Sequence, residues 1–311
     1  MSTENARPSA VSSGPNGKQR DSLASEWRGF SFKRFLVLIK VEIYKMANYW
    51  VIRGGYIAMV GIGLIAAYLT FHIEQAAKLT SGSGYAFAIG LLLRGIDIGA
   101  SIIFLMICMI FSTEMTFGTI KNILSRPVTR IEMMLAKYIT SWVMISVAIG
   151  IFLAIGLVMG KYYYGMGDLT EDGYLLFKRS VMFKEMAIAM LLLMAPFIAL
   201  SALAMMISSL SSTMGGAMII GLIAYFFFDL VGIIPSNLGM TVAGHFIPYH
   251  VFGFPILRFV PLTILDDLPA GLPITTWWVA DIKNMLLVCG VYFLVFFTAS
   301  LVIVRRRDFT L

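Results

Sequence analysis

Charge is scarce in this sequence. Asp, Glu, Lys and Arg make up 13% of its 311 residues, against roughly 25% in an ordinary soluble domain. Hydrophobic residues make up 59% and the mean hydropathy is +0.85. That balance excludes a water-soluble globular chain and reads as an integral membrane protein. Cysteine is scarcer still. Cys108 and Cys289 are the only two; each sits in an apolar run, so there is neither a disulfide framework nor a C-x-x-C pair. Histidine occurs at His72, His245 and His250 only. His245 and His250 are five apart, off one helical face and without a neighbouring Cys, which reads as incidental rather than metal-binding. An apolar h-region is missing from residues 1 to 28, so no cleavable signal peptide is expected. The first span then serves as an uncleaved anchor.

Catalytic signatures are missing too. No GxxxxGK[ST] loop occurs; Gly14-Pro-Asn-Gly17-Lys18 lacks the spacing, the preceding strand and the hydroxyl residue. The chain is therefore not expected to hydrolyse ATP by itself. There is no GxSxG elbow and no HExxH. Asp229, Asp266, Asp267 and Asp281 could serve an intramembrane enzyme, but their spacing selects no such chemistry. They read as markers of the water boundary. The 21 methionines follow no MxxM repeat and read as adaptable packing.

What is present is a series of apolar runs with basic punctuation. Residues 1 to 28, rich in Ser, Gly, Pro and charge, are expected to form a disordered cytoplasmic tail. Residues 29 to 311 then form the membrane domain. Over residues 30 to 50, Phe35, Leu36, Ile39, Ile43, Met46 and Trp50 share one helical face, opposite Lys33, Arg34, Lys40 and Lys45. This predicts an amphipathic helix lying in the inner interface with its apolar face in lipid. Packing of that helix on protein is the alternative. The first span is about Gly54 to Phe71, ended inside by Arg53. The second runs from near Tyr85 to Thr113. Arg94 and Asp97 interrupt it as a self-neutralising i, i+3 pair near the outer interface. The third is Tyr138 to Gly160, with Tyr162, Tyr163 and Tyr164 as an aromatic belt. Gly61, Gly63, Gly150, Gly156 and Gly160 permit close helix approach.

Residues 161 to 185 read as an outer loop. Residues 186 to 228 carry no charge for longer than one span needs, so two helices fold back, with the break at Ser208 to Gly216 and a kink at Pro196. Asp229 ends the fifth span. Residues 230 to 283 hold six of the ten prolines, which predicts short interfacial or re-entrant helices outside, including residues 246 to 265. A seventh span there would place Arg305, Arg306 and Arg307 outside, against the positive-inside rule. The sixth span is about Asn284 to Val304.

The expected fold class is thus all-α and integral to the membrane, with six spans and both termini cytoplasmic. Sixteen of the 24 Lys and Arg fall in the inner segments. The net charge of +7 is accounted for by an anionic inner leaflet, so the expected partner is the lipid bilayer and not nucleic acid.

The longest basic interruption runs from Glu114 to Lys137 (EMTFGTIKNILSRPVTRIEMMLAK). Its order, ExxxGT, then LSRPxxR, then Lys before the next span, resembles the coupling segment of type-2 ABC transporter permeases. Glu114, Gly118 and Thr119 match the first part. Leu124, Ser125, Arg126, Pro127 and Arg130 match the second, and Lys137 the third. The closest pattern resembles permeases of nitrous-oxide-reductase maturation and of peptide-antibiotic resistance export.

The resemblance implies an N-terminal elbow helix, a cytoplasmic coupling helix and a re-entrant region before span six. It implies a homodimer or heterodimer in the cytoplasmic membrane. It also implies a separate cytoplasmic ATPase subunit that binds ATP and Mg, the permease itself holding no cofactor. Glu114 at a helix start would cap free N–H groups. Gly118-Thr119 would permit a turn, Pro127 would end the coupling helix, and Arg126 and Arg130 would face acids on the partner. Substrate identity is carried by none of these residues. A non-transporting anchor or sensor subunit is a further reading.

Overall fold

The computed structural model describes residues 32–76, 83–119, 129–171, 174–237 and 278–307. Seven helices and one hairpin occupy them: α1 (Phe32–Asn48), α2 (Trp50–Ala76), α3 (Gly84–Thr116), α4 (Arg130–Tyr164), β1 (Leu169–Glu171), β2 (Tyr174–Phe177), α5 (Arg179–Leu210), α6 (Met214–Asn237) and α7 (Trp278–Arg306). Five of the helices are long and apolar enough to cross a membrane, and α6 contributes a shorter apolar stretch, Met214–Phe227. The chain is a multi-pass, helical membrane protein. The expected tail at residues 1 to 28, the coupling helix around Leu124 to Pro127 and the re-entrant region at 246 to 265 lie outside the described residues. So do the side chains of Arg94 and Asp97.

Helix α3 is the centre of the bundle. It packs against α2, α4, α5 and α6, while α7 lies along α5 and touches α4. Burial follows that arrangement: 78% of the α3 window Gly99–Thr116 is buried, against 22% for Trp50–Ala76 and 17% for Leu286–Arg306. Phe104, Ile107, Ile110 and Phe111 of α3 join Tyr138, Ile145 and Phe152 of α4 in the main core, with Phe197 and Leu200 of α5. The peripheral helices present apolar side chains outward, such as Ile65 and Leu69 on α2 and Leu287 and Leu294 on α7, as lipid requires. Pro196 lies inside α5, which continues to Leu210. The fold-back expected at Ser208 to Gly216 occurs between Leu210 and Met214.

The closest helix approach is between α3 and α4. A Cβ on Gly156 would lie 2.9 Å from Ala88 Cα, and one on Gly84 would lie 2.7 Å from the Gly160 carbonyl. Gly61 and Gly150, expected to act likewise, face open space instead.

Three boundaries differ from expectation. Helix α4 begins at Arg130, eight residues before Tyr138, because Thr129 and Glu132 form a capping box: the Thr129 hydroxyl accepts from Glu132 N–H, and the Glu132 carboxylate accepts from Thr129 N–H. Helix α6 runs past Asp229 to Asn237. The outer loop contains an antiparallel hairpin, pairing Glu171 with Tyr174 and Thr170 with Leu175. Asp172-Gly173 ahead of the apolar run Tyr174 to Phe177 is a sequence signal for the turn of that hairpin.

Helix α1 also turns differently. Its expected lipid face is divided. Met46 is buried at 3% exposure, while Leu36 is 49% exposed and Trp50, 77% exposed, already belongs to α2. The side turned inward centres on Glu42 and Met46 and packs against α4. Glu42 falls at the edge of the apolar arc, next to Phe35 on the helical wheel, and a carboxylate buried there needs a partner.

Candidate functional site

The partner is supplied by three helices meeting at one end of the bundle. Glu42 and Lys45 stand one turn apart on α1. Glu114 stands in the last turn of α3, and Lys137 in the second turn of α4. Lys137 Nζ lies 2.7 Å from Glu114 Oε1 and 3.3 Å from Glu42 Oε2. Lys45 Nζ lies 3.0 Å from Glu42 Oε2 and also pairs with Glu114 Oε1. The charges alternate in sign around a square, so each faces two opposite charges. Lys137 is fully buried, and the Glu114 and Glu42 side chains are 2% and 3% exposed. Lys45, 37% exposed, is the corner that reaches solvent.

Electrostatics explains why the square must be complete. A lone charge at this burial costs several kcal/mol. Glu114 has a further difficulty: it sits at the C-terminal end of α3, where the helix dipole disfavours negative charge. Two lysines offset both effects, and the Phe111 ring lies 5.9 Å from Lys137 Nζ. Glu114 Oε2 is buried and lacks a hydrogen-bond partner among the described residues. On α1, burial alone would push the Glu42 carboxyl up; Lys137 and Lys45 outweigh it and hold the group below its ordinary value.

The square sits at the two ends of the Glu114-to-Lys137 stretch. Glu114 therefore does not open a helix and cap its N–H groups, as expected; it closes one and is held by lysines. After it the chain turns. Gly118 has φ +66°, and its N–H donates to Met115 O at 3.2 Å. Thr119 is exposed. Leu124, Ser125, Arg126 and Pro127 lie outside the described residues. Arg130 begins α4, and its Nη1 donates to the carbonyls of Val304 and Arg305 on α7 at 3.0 and 2.8 Å. Lys137 does not simply open the span; it is a buried corner of the square.

Sequence reasoning brought Glu114 and Lys137 to one segment but missed Glu42 and Lys45 as their partners. The signal was Glu42, a carboxylate at the edge of an apolar arc. Chemically the square holds no nucleophile poised beside a base. Among the described residues no group of three or more His, Cys, Asp or Glu could hold a metal ion. What the arrangement can do is mechanical: it ties the amphipathic helix α1 to both helices that flank the basic segment.

Compared with known protein families, residues 38–229 match the family model described as ABC-2 family transporter protein. The match covers more than half of the chain and includes all four corners of the square. No curated protein matches the chain.

Proposed function

The chain belongs to the ABC-2 transporter family, and from that membership we propose that it is a permease subunit that exports a substrate across the cytoplasmic membrane, driven by ATP hydrolysed in a separate cytoplasmic subunit. The family makes it a membrane component of an ABC transporter and implies an ABC ATPase partner. In this reading six spans cross the membrane, the outer residues 246 to 265 cap the pathway, and two permeases pair as a homodimer or heterodimer. Both termini are cytoplasmic. Helix α1 is the elbow helix, and ATP and Mg reside on the partner. In this reading the chain is akin to the permeases of nitrous-oxide-reductase maturation and antibiotic-resistance export.

The observation that carries the reading is the buried square. A docking segment has to pull on the spans. Here both ends of the segment carry a buried charge, Glu114 at one and Lys137 at the other, joined at 2.7 Å. Glu42 and Lys45 extend the joint to α1. A push on Gly118, Thr119, Leu124, Ser125, Arg126, Pro127 or Arg130 would thus reach three helices together. Arg126 supplies a donor for acids on the ATPase.

Co-purification tests this. The chain expressed with its cognate ATPase should retain that subunit through purification. Arg126→Glu should reduce the retained ATPase several-fold, about the effect of opposing like charges at an interface. Glu114→Ala should keep the ATPase bound and separate its hydrolysis from transport in reconstituted membranes. Unchanged retention and unchanged transport in Arg126→Glu would reduce the stretch to a topogenic loop.

A further inference from the structure

The inner end of the bundle carries a second set of polar ties, and they lead around it in a circle. The first link joins α4 to α7. Arg130 Nη1 donates to Val304 O and Arg305 O at 3.0 and 2.8 Å, and to Arg307 O at 3.5 Å. These carbonyls belong to the end of α7, where a helix leaves its last acceptors without intrahelical partners. The second link joins α7 to α5. Arg307 Nη1 donates to Ser211 O at 3.1 Å and also to Ser209 O, which are the carbonyls at the end of α5. The third joins α5 to α3. The buried Ser208 hydroxyl accepts from the backbone N–H groups of Phe111 and Ser112 at 3.1 and 3.0 Å. The fourth is Lys137 to Glu114 at 2.7 Å, from α4 back to α3. Helix α6 hangs on the same circle, since Met214 N–H donates to Thr116 Oγ1 at 2.7 Å.

We propose that Arg130 and Arg307 are positioning residues that close the inner ends of α4, α7, α5 and α3 into one ring, so that these ends open and shut as a body. The inference deepens the permease reading and rests on it for its purpose: a ring transmits a push at the basic segment to α7 and α5 as well as to the two helices that the segment joins. Arginine suits both places. Its planar guanidinium carries several donors in a fixed fork, so one side chain satisfies two or three orphan carbonyls while its charge complements the helix C-terminus. Arg130 is then an internal clasp, and Arg126 is left as the docking cation. Arg307 lies outside the matched residues 38–229, so the ring joins the family segment to a helix beyond it.

A ring and a pair of separate helix caps make different predictions. Ser209 is fully buried, and a cysteine there keeps the backbone carbonyl that Arg307 holds. The full chain, with Cys108 and Cys289 replaced by Ala and Ser209→Cys introduced, is purified into lipid nanodiscs and labelled with N-ethylmaleimide. In the parent, labelling should be slow. Arg307→Ala should raise the rate about tenfold or more, the size expected when a local opening loses its main restraint. Arg130→Ala should raise it comparably, although the bonds described above run from Arg130 to α7. Arg130→Lys and Arg307→Lys, which keep the charge and a donor group but not the planar fork, should return the rate part of the way to the parent's. That rescue also separates the proposal from loss of folding.

If Arg307→Ala raises the Ser209→Cys rate while Arg130→Ala leaves it within about twofold of the parent, the two arginines are independent caps and the ring is overturned. Equal rates in all variants overturn it as well. Labelling needs neither ATP nor a partner. A chain that shows the ring pattern yet binds no ATPase would overturn the docking reading alone.

Discussion

Lys137 and Glu114 stand 23 positions apart in the chain and in contact at 2.7 Å, both shut away from solvent. The pair joins the last turn of α3 to the second turn of α4, the helices on either side of the basic segment. Glu42 and Lys45 complete the charge balance from a third helix. Three expected outcomes follow from the geometry of this end.

Lys137→Met should destabilise the chain by about 3–5 kcal/mol, because it leaves two buried carboxylates facing a single half-exposed lysine. Replacing Glu42, Glu114 and Lys137 together by apolar residues of similar volume should restore most of that loss, since the desolvation of the charges is removed with them. Thermal unfolding of the detergent-solubilised protein reads both. A single Lys137→Met that melts like the parent would mean that the square is not formed.

Glu42 makes the stability of the α1 joint depend on pH. Its carboxyl is held below its ordinary value by Lys137 and Lys45 against the effect of burial. The folded chain therefore binds this proton less readily than the unfolded one. The stabilisation is complete at pH above the unfolded value, falls as pH drops through the interval between the two values, and is absent below the folded one. The difference in melting temperature between the parent and Glu42→Gln should accordingly be full at neutral pH and narrow in acid. A difference that widens in acid would reverse the assigned direction.

Gly118 turns the chain away from α3 with φ +66°, and no atom of the described residues lies within 4 Å of a Cβ built there. Substitution therefore meets backbone strain and not a clash. Gly118→Ala should cost about 1–2 kcal/mol, the usual penalty of the left-handed region for a side-chain residue. Gly118→Asn should cost less, because Asn adopts that region more readily. Equal melting temperatures for Gly118→Ala and the parent would remove the requirement for a left-handed turn.

The sequence by itself determined that this is a helical membrane protein, where most of its helices lie, and that the basic stretch from Glu114 to Lys137 separates two of them. Those properties follow from local composition: a span is a run of apolar residues as long as a bilayer is thick, and basic residues flank it where the inner surface is anionic. Even the start of α4 and the turn of the hairpin had local signatures, in Thr129 with Glu132 and in Asp172-Gly173. Only the tertiary structure decided which charge answers which. Glu42 meets Lys137 across 95 positions and Arg130 meets Val304 across 174. Pairing at such separations depends on how α1 rolls and where α7 ends. Neither is encoded in any window of neighbouring residues. Glu42 marked the place by standing at the edge of the apolar arc, but a lone carboxylate shows only that a partner is needed. The partner is named by the packing that brings Lys137 to the same buried point.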